Sequence, residues 1–328
     1  MKRRLLTLFS FFFYILAVFA EKKDYLSFRI TPEVGLMNGF TKEFVFSDYC
    51  KHEDNVESRL DWDIYNIIIF KAGGDFDILD YVYAGVDFSI GVPDLSGYMQ
   101  DYDWLNSLGG GDGTYIEWLK DDPNELTNYS SHDNHLEKYL TFTFCLGGNI
   151  AFPSGIKLTP FIAYNYDYIG FAGTDGHYTY KADNWRLRFL DGNVISYRQE
   201  TNSFLTGLRV QVTSIPRTYL YSDFSFSPAL AFTNAMDTHH LAERVFWDKF
   251  TNLWQLQANL RAQYIFNQNH SAGLAGFIQY IPLTKGVTSS KFLTKEGAPE
   301  RGKWQVLQDK GGIERFIWSV SLSYSFSL

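Results

Sequence analysis

Apolar and polar residues take turns along most of this chain. Near its end, Trp318, Val320, Leu322, Tyr324, Phe326 and Leu328 alternate with Ser319, Ser321, Ser323, Ser325 and Ser327. Successive side chains of a strand point to opposite faces, so this segment has one apolar face and one face of serine. Leu256, Ala258, Leu260, Ala262 and Tyr264 alternate in the same way with Gln255, Gln257, Asn259, Arg261 and Gln263. The pattern recurs at Val82, Ala84, Val86, Phe88 and Ile90, and at Leu140, Phe142, Phe144 and Leu146. A soluble sandwich alternates too, with its apolar side inward. Polar faces rich in Gln, Asn, Ser and Thr suit a wet lumen instead, and Tyr, Phe and Trp gather near strand ends like interfacial girdles. The expected fold is all-β, a transmembrane antiparallel β-barrel.

Ten strands are predicted, at about 24–46, 57–73, 77–93, 136–152, 156–173, 193–213, 218–233, 244–266, 270–286 and 311–328. An even number is what a bacterial barrel has. Gly74-Asp75-Phe76, Pro153-Ser154-Gly155, Ser214-Ile215-Pro216-Arg217 and Asn267-Gln268-Asn269 read as tight turns. The other five connections are long and polar, which gives short periplasmic turns on one side and long outer loops on the other. Several strands exceed the ~9–11 residues that cross a bilayer, so the barrel should extend above the outer membrane on the loop side.

The first twenty residues read differently. Basic Lys2, Arg3 and Arg4 precede an apolar run from Leu5 to Phe19, with small Ala20 before Glu21. This is the pattern of a secretory signal peptide, residues 1–20, ahead of a single barrel domain, residues 21–328. The polar Glu21-Lys22-Lys23 after so short a run argues against a retained anchor helix. No later apolar run reaches the ~20 residues of a membrane helix. A chain that is 45% hydrophobic and 18% aromatic is not disordered. Its 29 basic against 37 acidic residues, a balance of −8, argue against a nucleic-acid partner. Cys50 falls in the first outer loop and Cys145 mid-strand, ~30 Å down the barrel, so no disulfide is expected between them.

Candidate chemistry collects in the outer connections 94–135 and 234–243. Asp101 and Asp103 are two apart and share a face of an extended segment. Like charges held close raise the pKa of one of them. Asp237 and His239 also share a face, so Asp237 could orient the imidazole while His239 takes a proton from water. A water between His239 and Asp101 would then attack a peptide carbonyl. Equally, acidic loops of outer-membrane proteins are mostly solvated, and the rest of 94–135 is acidic throughout, which as a rim would gather basic peptides. Gly109-Gly110-Gly111-Asp112-Gly113 lacks the strand and helix of a phosphate loop and reads as a flexible stretch. His132 and His135 with Asp133 come without HExxH or CxxC, so no metal is expected, and no cofactor. Ser130 with His132 lacks a nucleophile-elbow context.

The residues resemble the omptin family of ten-stranded outer-membrane endoproteases. Asp101-Tyr102-Asp103-Trp104 is similar to the family's Asp-x-Asp-Trp motif, whose aspartates flank the catalytic water. Asp237-Thr238-His239 is similar to its Asp-x-His dyad, and Ser130-Ser131-His132 to a Ser-x-His near the site. Thr41-Lys42-Glu43 is similar to a Thr-Lys-Glu whose Glu lies in the pocket for the residue before the scissile bond, and Leu60-Asp61-Trp62 to a Leu-Asp-Trp of the second strand. The resemblance implies an Asp/His endopeptidase, with its site facing outside, that acts on peptide or protein substrates near basic residues. Two departures are visible. The family's second pocket acid, two residues before the dyad aspartate, is Ala235 here. Its lipopolysaccharide clamp aligns with Tyr166-Asp167-Tyr168, after Tyr164, and later with Glu200 and Thr251, so the clamp is not expected to be retained. A non-catalytic barrel of this type, acting as an adhesin or binding protein, stays open as the alternative.

Overall fold

A computed structural model describes residues 26–48, 50, 52–105, 124–293 and 302–328. The expected signal peptide and the glycine-rich 109–113 lie outside the described residues. The strands are β1 (Leu26–Phe46), β2 (Val56–Ile78), β3 (Val82–Gly91), β4 (Asp94–Asp103), β5 (Asn128–Gly148), β6 (Ile150–Phe152), β7 (Ile156–Tyr180), β8 (Arg188–Phe189), β9 (Asn193–Val212), β10 (Thr218–His239), β11 (Arg244–Ile265), β12 (His270–Phe292) and β13 (Gln305–Ser327). β3 and β4 are successive parts of one wall strand, as are β5 and β6, while β8 only flanks the top of β7. Counted so, ten antiparallel strands form the wall. It closes because β1 pairs with β2 on one side and β13 on the other.

Three of the four predicted turns fall where expected; the fourth does not. Residues 74–76 stay in strand, and the chain turns at Leu79 and Asp80, whose φ values of 54° and 58° are left-handed. Gly73 and Gly74 serve packing instead. A Cβ on Gly73 would lie 2.7 Å from Asp87 Oδ1 of the adjacent strand. The strands also run higher than predicted. β4 and β5 carry strand pairing into 94–103 and 128–135, and β10 continues to His239. The aspartates and the dyad therefore sit on strand ends rather than in loops. Paired backbone satisfies its own hydrogen bonds above the membrane as well as within it.

The serine face of β13 lines the interior, with Ser319, Ser321, Ser323 and Ser325 buried, while Trp318, Val320, Leu322 and Tyr324 stand outside. Phe70, Phe88, Phe144, Phe204, Phe224 and Leu260 continue the outer apolar band. Inside the band, the buried arginines are paired with carboxylates. Arg209 reaches Asp223 at 2.6 Å and Asp75 at 2.8 Å, and Arg261 joins Glu33. Higher up the logic inverts. Arg59, Asp61 and Asp63 of β2 now point outward, and Leu60, Trp62 and Ile64 point in. Where water replaces lipid outside, apolar side chains have reason to turn inward. A bulge makes the switch: Tyr65 and Asn66 sit opposite the Met37-to-Gly39 register shift, with Asn66 at φ 54°. A matching change of face on β11 occurs at Thr251-Asn252, with Asn252 at φ 61°.

The upper interior is consequently not the wet lumen expected from the alternation. Trp62 stacks on Phe171 and Tyr197 at ring-centroid distances of 5.7 and 5.5 Å. Met99, Leu136, Ile195, Leu253, Ile313 and Ile317 fill in around them. This apolar plug separates the polar lumen from the top. Cys50 is buried beside Phe44, Phe46, Val56 and Trp104, while Cys145 lies in a separate cluster, and both are free thiols.

Candidate active site

The Asp–Asp pair and the Asp–His pair arise on opposite walls. Asp101 and Asp103 lie at the top of β4, where Asp101 pairs in register with Leu60 and Ser130, and Asp103 with Ser58 and Asn128. Ser58 Oγ donates to Asp101 Oδ1 at 3.3 Å, and Asn128 Nδ2 donates to Asp103 Oδ2 at 3.1 Å. Asp237 and His239 end β10, held between β9 and β11. Closure of the wall brings the pairs face to face. Asp101 and His239 line one cleft of about 380 Å³, together with Met99, Ser130, His132 and Tyr178. Leu190, Val194, Ile195, Leu241 and Ala242 make its apolar side.

Asp237 is buried, and its Oδ2 lies 2.6 Å from His239 Nε2. A carboxylate only accepts, so Nε2 carries a proton and Nδ1 is left over. Phe246 meets the imidazole edge-on, with centroids 5.4 Å apart, and fixes the ring plane. Burial alone would lower the proton affinity of His239. The carboxylates of Asp237, Asp101 and Asp103 outweigh it and push the group up to about 9. Burial raises Asp101 well above the usual carboxylate range, and Asp103 adds to this while the facing His239 opposes it. Asp103 is raised too, mainly by burial, against hydrogen bonds from Ser58 and Asn128.

His132 Nδ1 lies 2.5 Å from the Asp175 carbonyl oxygen, and Nε2 lies 2.9 Å from Ser130 Oγ. The carbonyl can only accept, so Nδ1 donates to it and Nε2 accepts the Ser130 hydroxyl proton. Burial lowers the proton affinity of this ring, which keeps it neutral. Gly176, at φ +105°, lets the chain pass: a Cβ there would come within 2.1 Å of the Ser131 carbonyl oxygen.

All seven residues expected at the site are thus at the top of the barrel. Glu43 lies inside β1, buried, and is raised well above the carboxylate range by burial and then by Asp237, Asp248 and Asp101. Asp248 is a residue the sequence reading missed. It pairs in register with Ala235 and is buried. Burial pushes it up to about 7, with Asp237 adding to the rise. Extending the alternation of β11 back from Leu256 puts Asp248 on the outer face. The bulge at Asn252, with φ 61°, turns it inward, and an asparagine, which tolerates left-handed backbone, is the local signal the sequence offered.

The model of the omptin family matches residues 24–328. Over 254 residues the chain is 24% identical to a plasminogen activator of Yersinia pestis, covering 74% of this chain and 72% of that protein. Over 301 residues it is 24% identical to the outer membrane protease IcsP of Shigella flexneri, covering 89% and 88%. The crystal structure of the outer membrane protease OmpT from Escherichia coli superposes with a TM-score of 0.80 at 18% identity, covering 92% of this chain and 97% of that one.

Proposed function

The chain belongs to the omptin family, and on that premise we propose that it is an outer-membrane endopeptidase that cleaves with a water held between Asp101–Asp103 and Asp237–His239. One observation carries the reading: Asp101 and His239 reach the same cleft from opposite walls, while Asp237 grips the far nitrogen of the imidazole. His239 Nδ1 is the base. It takes a proton from water as the water oxygen bonds to the scissile carbonyl carbon, and the carbonyl electron pair moves onto its oxygen. Collapse of that intermediate breaks the C–N bond, and the imidazolium returns the proton to the leaving amine. Asp101 accepts the second hydrogen of the water and fixes its direction, Asp103 supports Asp101, and Asp237 holds the ring and stabilises its charge. Ser130 and His132 border the cleft as a neutral, mutually bonded pair that shapes the substrate path.

Substrates are peptides or proteins with a basic side chain beside the cleaved bond, drawn in by Glu43. A cation seated there opposes the field that keeps His239 protonated, so binding helps to free the base. The lipopolysaccharide clamp is absent in this reading. Tyr168 is in register with Glu200 on the outer wall, and Asp167 faces inward to Arg315 at 2.7 Å. Incubating the refolded barrel with a basic peptide tests the mechanism. Asp101→Ala and His239→Ala should each cut cleavage by about 10²-fold or more. Undiminished cleavage in both would remove it.

A further inference from the structure

Glu43 of β1, Asp237 of β10 and Asp248 of β11 are buried carboxylates near the top of the barrel, and each keeps an oxygen without a partner. Glu43 Oε2, Asp237 Oδ1 and Asp248 Oδ1 are enclosed and unbonded. The residues are 3%, 2% and 3% exposed. Glu43 feels the negative field of Asp237 and Asp248, and Asp248 feels that of Asp237. Leaving such groups unpaired in a low-dielectric interior is costly, so the arrangement calls for a visiting positive charge.

Among the described residues no cation forms an ion pair with Glu43 or Asp248. Lys42 points the other way, to Glu314 at 3.9 Å. Lys249 lies over the Trp247 ring and Lys285 over Phe46, at 4.1 and 4.0 Å from the centroids. Arg315, one register step below Glu43 on the inner face, gives Nη1 to Asp167 and Gln199 and leaves Nε and Nη2 without partners, but it forms no ion pair with Glu43. A Cβ on Gly311 would fall 3.2 Å from Asp248 Oδ1 and 2.5 Å from Thr288 Oγ1, so glycine there leaves the approach to the carboxylate clear.

We propose that Asp248 is a specificity-determining residue, which together with Glu43 forms an anionic pocket for the guanidinium of a substrate arginine. This rests on the endopeptidase reading above. A planar guanidinium has five donors in a fixed fork and can satisfy oxygens from two carboxylates at once, which an ammonium at one point does less well. The pocket reaches the same charge as one with an acid at 235 by a different route. Position 235 is alanine, and the acid stands directly opposite it on the neighbouring strand, where paired Cβ atoms are ~4.5–5.5 Å apart.

The test measures kcat and KM of the refolded full chain on matched peptides carrying arginine, lysine or norleucine before the cleaved bond. Asp248→Asn keeps the volume and removes the charge. It should raise KM for the arginine peptide about tenfold or more, with a much smaller change in kcat and none on norleucine. Ala235→Asp added to Asp248→Asn should restore the low KM, which a purely structural role would not allow. Gly311→Ala, which narrows the pocket and keeps its charge, should raise KM for arginine as well. An arginine preference that survives Asp248→Asn overturns the assignment while leaving the catalytic reading intact. A wild-type barrel that cleaves none of the peptides overturns both.

Discussion

Replacing Asp237 with asparagine removes one negative charge and preserves the shape of the site, so it isolates what that charge does to His239. The imidazole is pushed from an ordinary 6.5 up to about 9. That is about 2.5 pH units, and at ~1.36 kcal/mol per unit it is at most about 3.4 kcal/mol of preference for the charged ring. Solvent trims the figure, because the side chain is still 32% exposed to the cleft. Burial opposes the rise, so Asp237, Asp101 and Asp103 together supply more than the net. Asp237 acts by both charge and hydrogen bond and is the largest of the three contributions. The sign follows directly: losing a carboxylate lowers proton affinity, so the midpoint should fall clearly below 9. NMR titration of ring-labelled histidine in micelles reads this directly, with His239→Gln identifying the signal among the seven histidines. Cleavage should fall in parallel by about 10²-fold or more, as expected when a base loses its orienting carboxylate. A midpoint that stays near 9 in Asp237→Asn would refute the claim that Asp237 sets the protonation of the base.

The same balance gives the pH profile. In the proposed mechanism the neutral ring is the active base, so kcat/KM should climb through neutral pH and level off above about 9, and Asp103→Asn should move that rise to lower pH; a profile already flat at pH 7 would contradict it. Ser130→Ala frees His132 Nε2 but touches neither the water nor the base, so it should change KM more than kcat in peptide assays. Activity should be the same with and without added lipopolysaccharide, and strict dependence would show that a lipid clamp exists after all. Trp62→Ala hollows the apolar plug and should cost about 3–5 kcal/mol, read as a lower midpoint of thermal unfolding in detergent.

The sequence alone determined the all-β class, the even strand count, three of the four tight turns and which face of each regular strand meets lipid. It could do so because a strand has period two, and lipid outside with polar groups inside writes that period directly into residue types. It also picked out Asp101, Asp103, Asp237 and His239, since each pair is two apart on one strand and needs no knowledge of its surroundings to share a face. Periodicity is local, however, and fails at a bulge. Asn66 and Asn252 each shift the chain by one residue, and everything above them changes face. For that reason the plug around Trp62 and the inward carboxylate of Asp248 were not legible from the alternation. Nor could spacing along the chain show that β4 and β10 meet across a cleft. Only closure of the wall between β1 and β13 sets that separation, and with it the field of three carboxylates that decides whether His239 carries a proton.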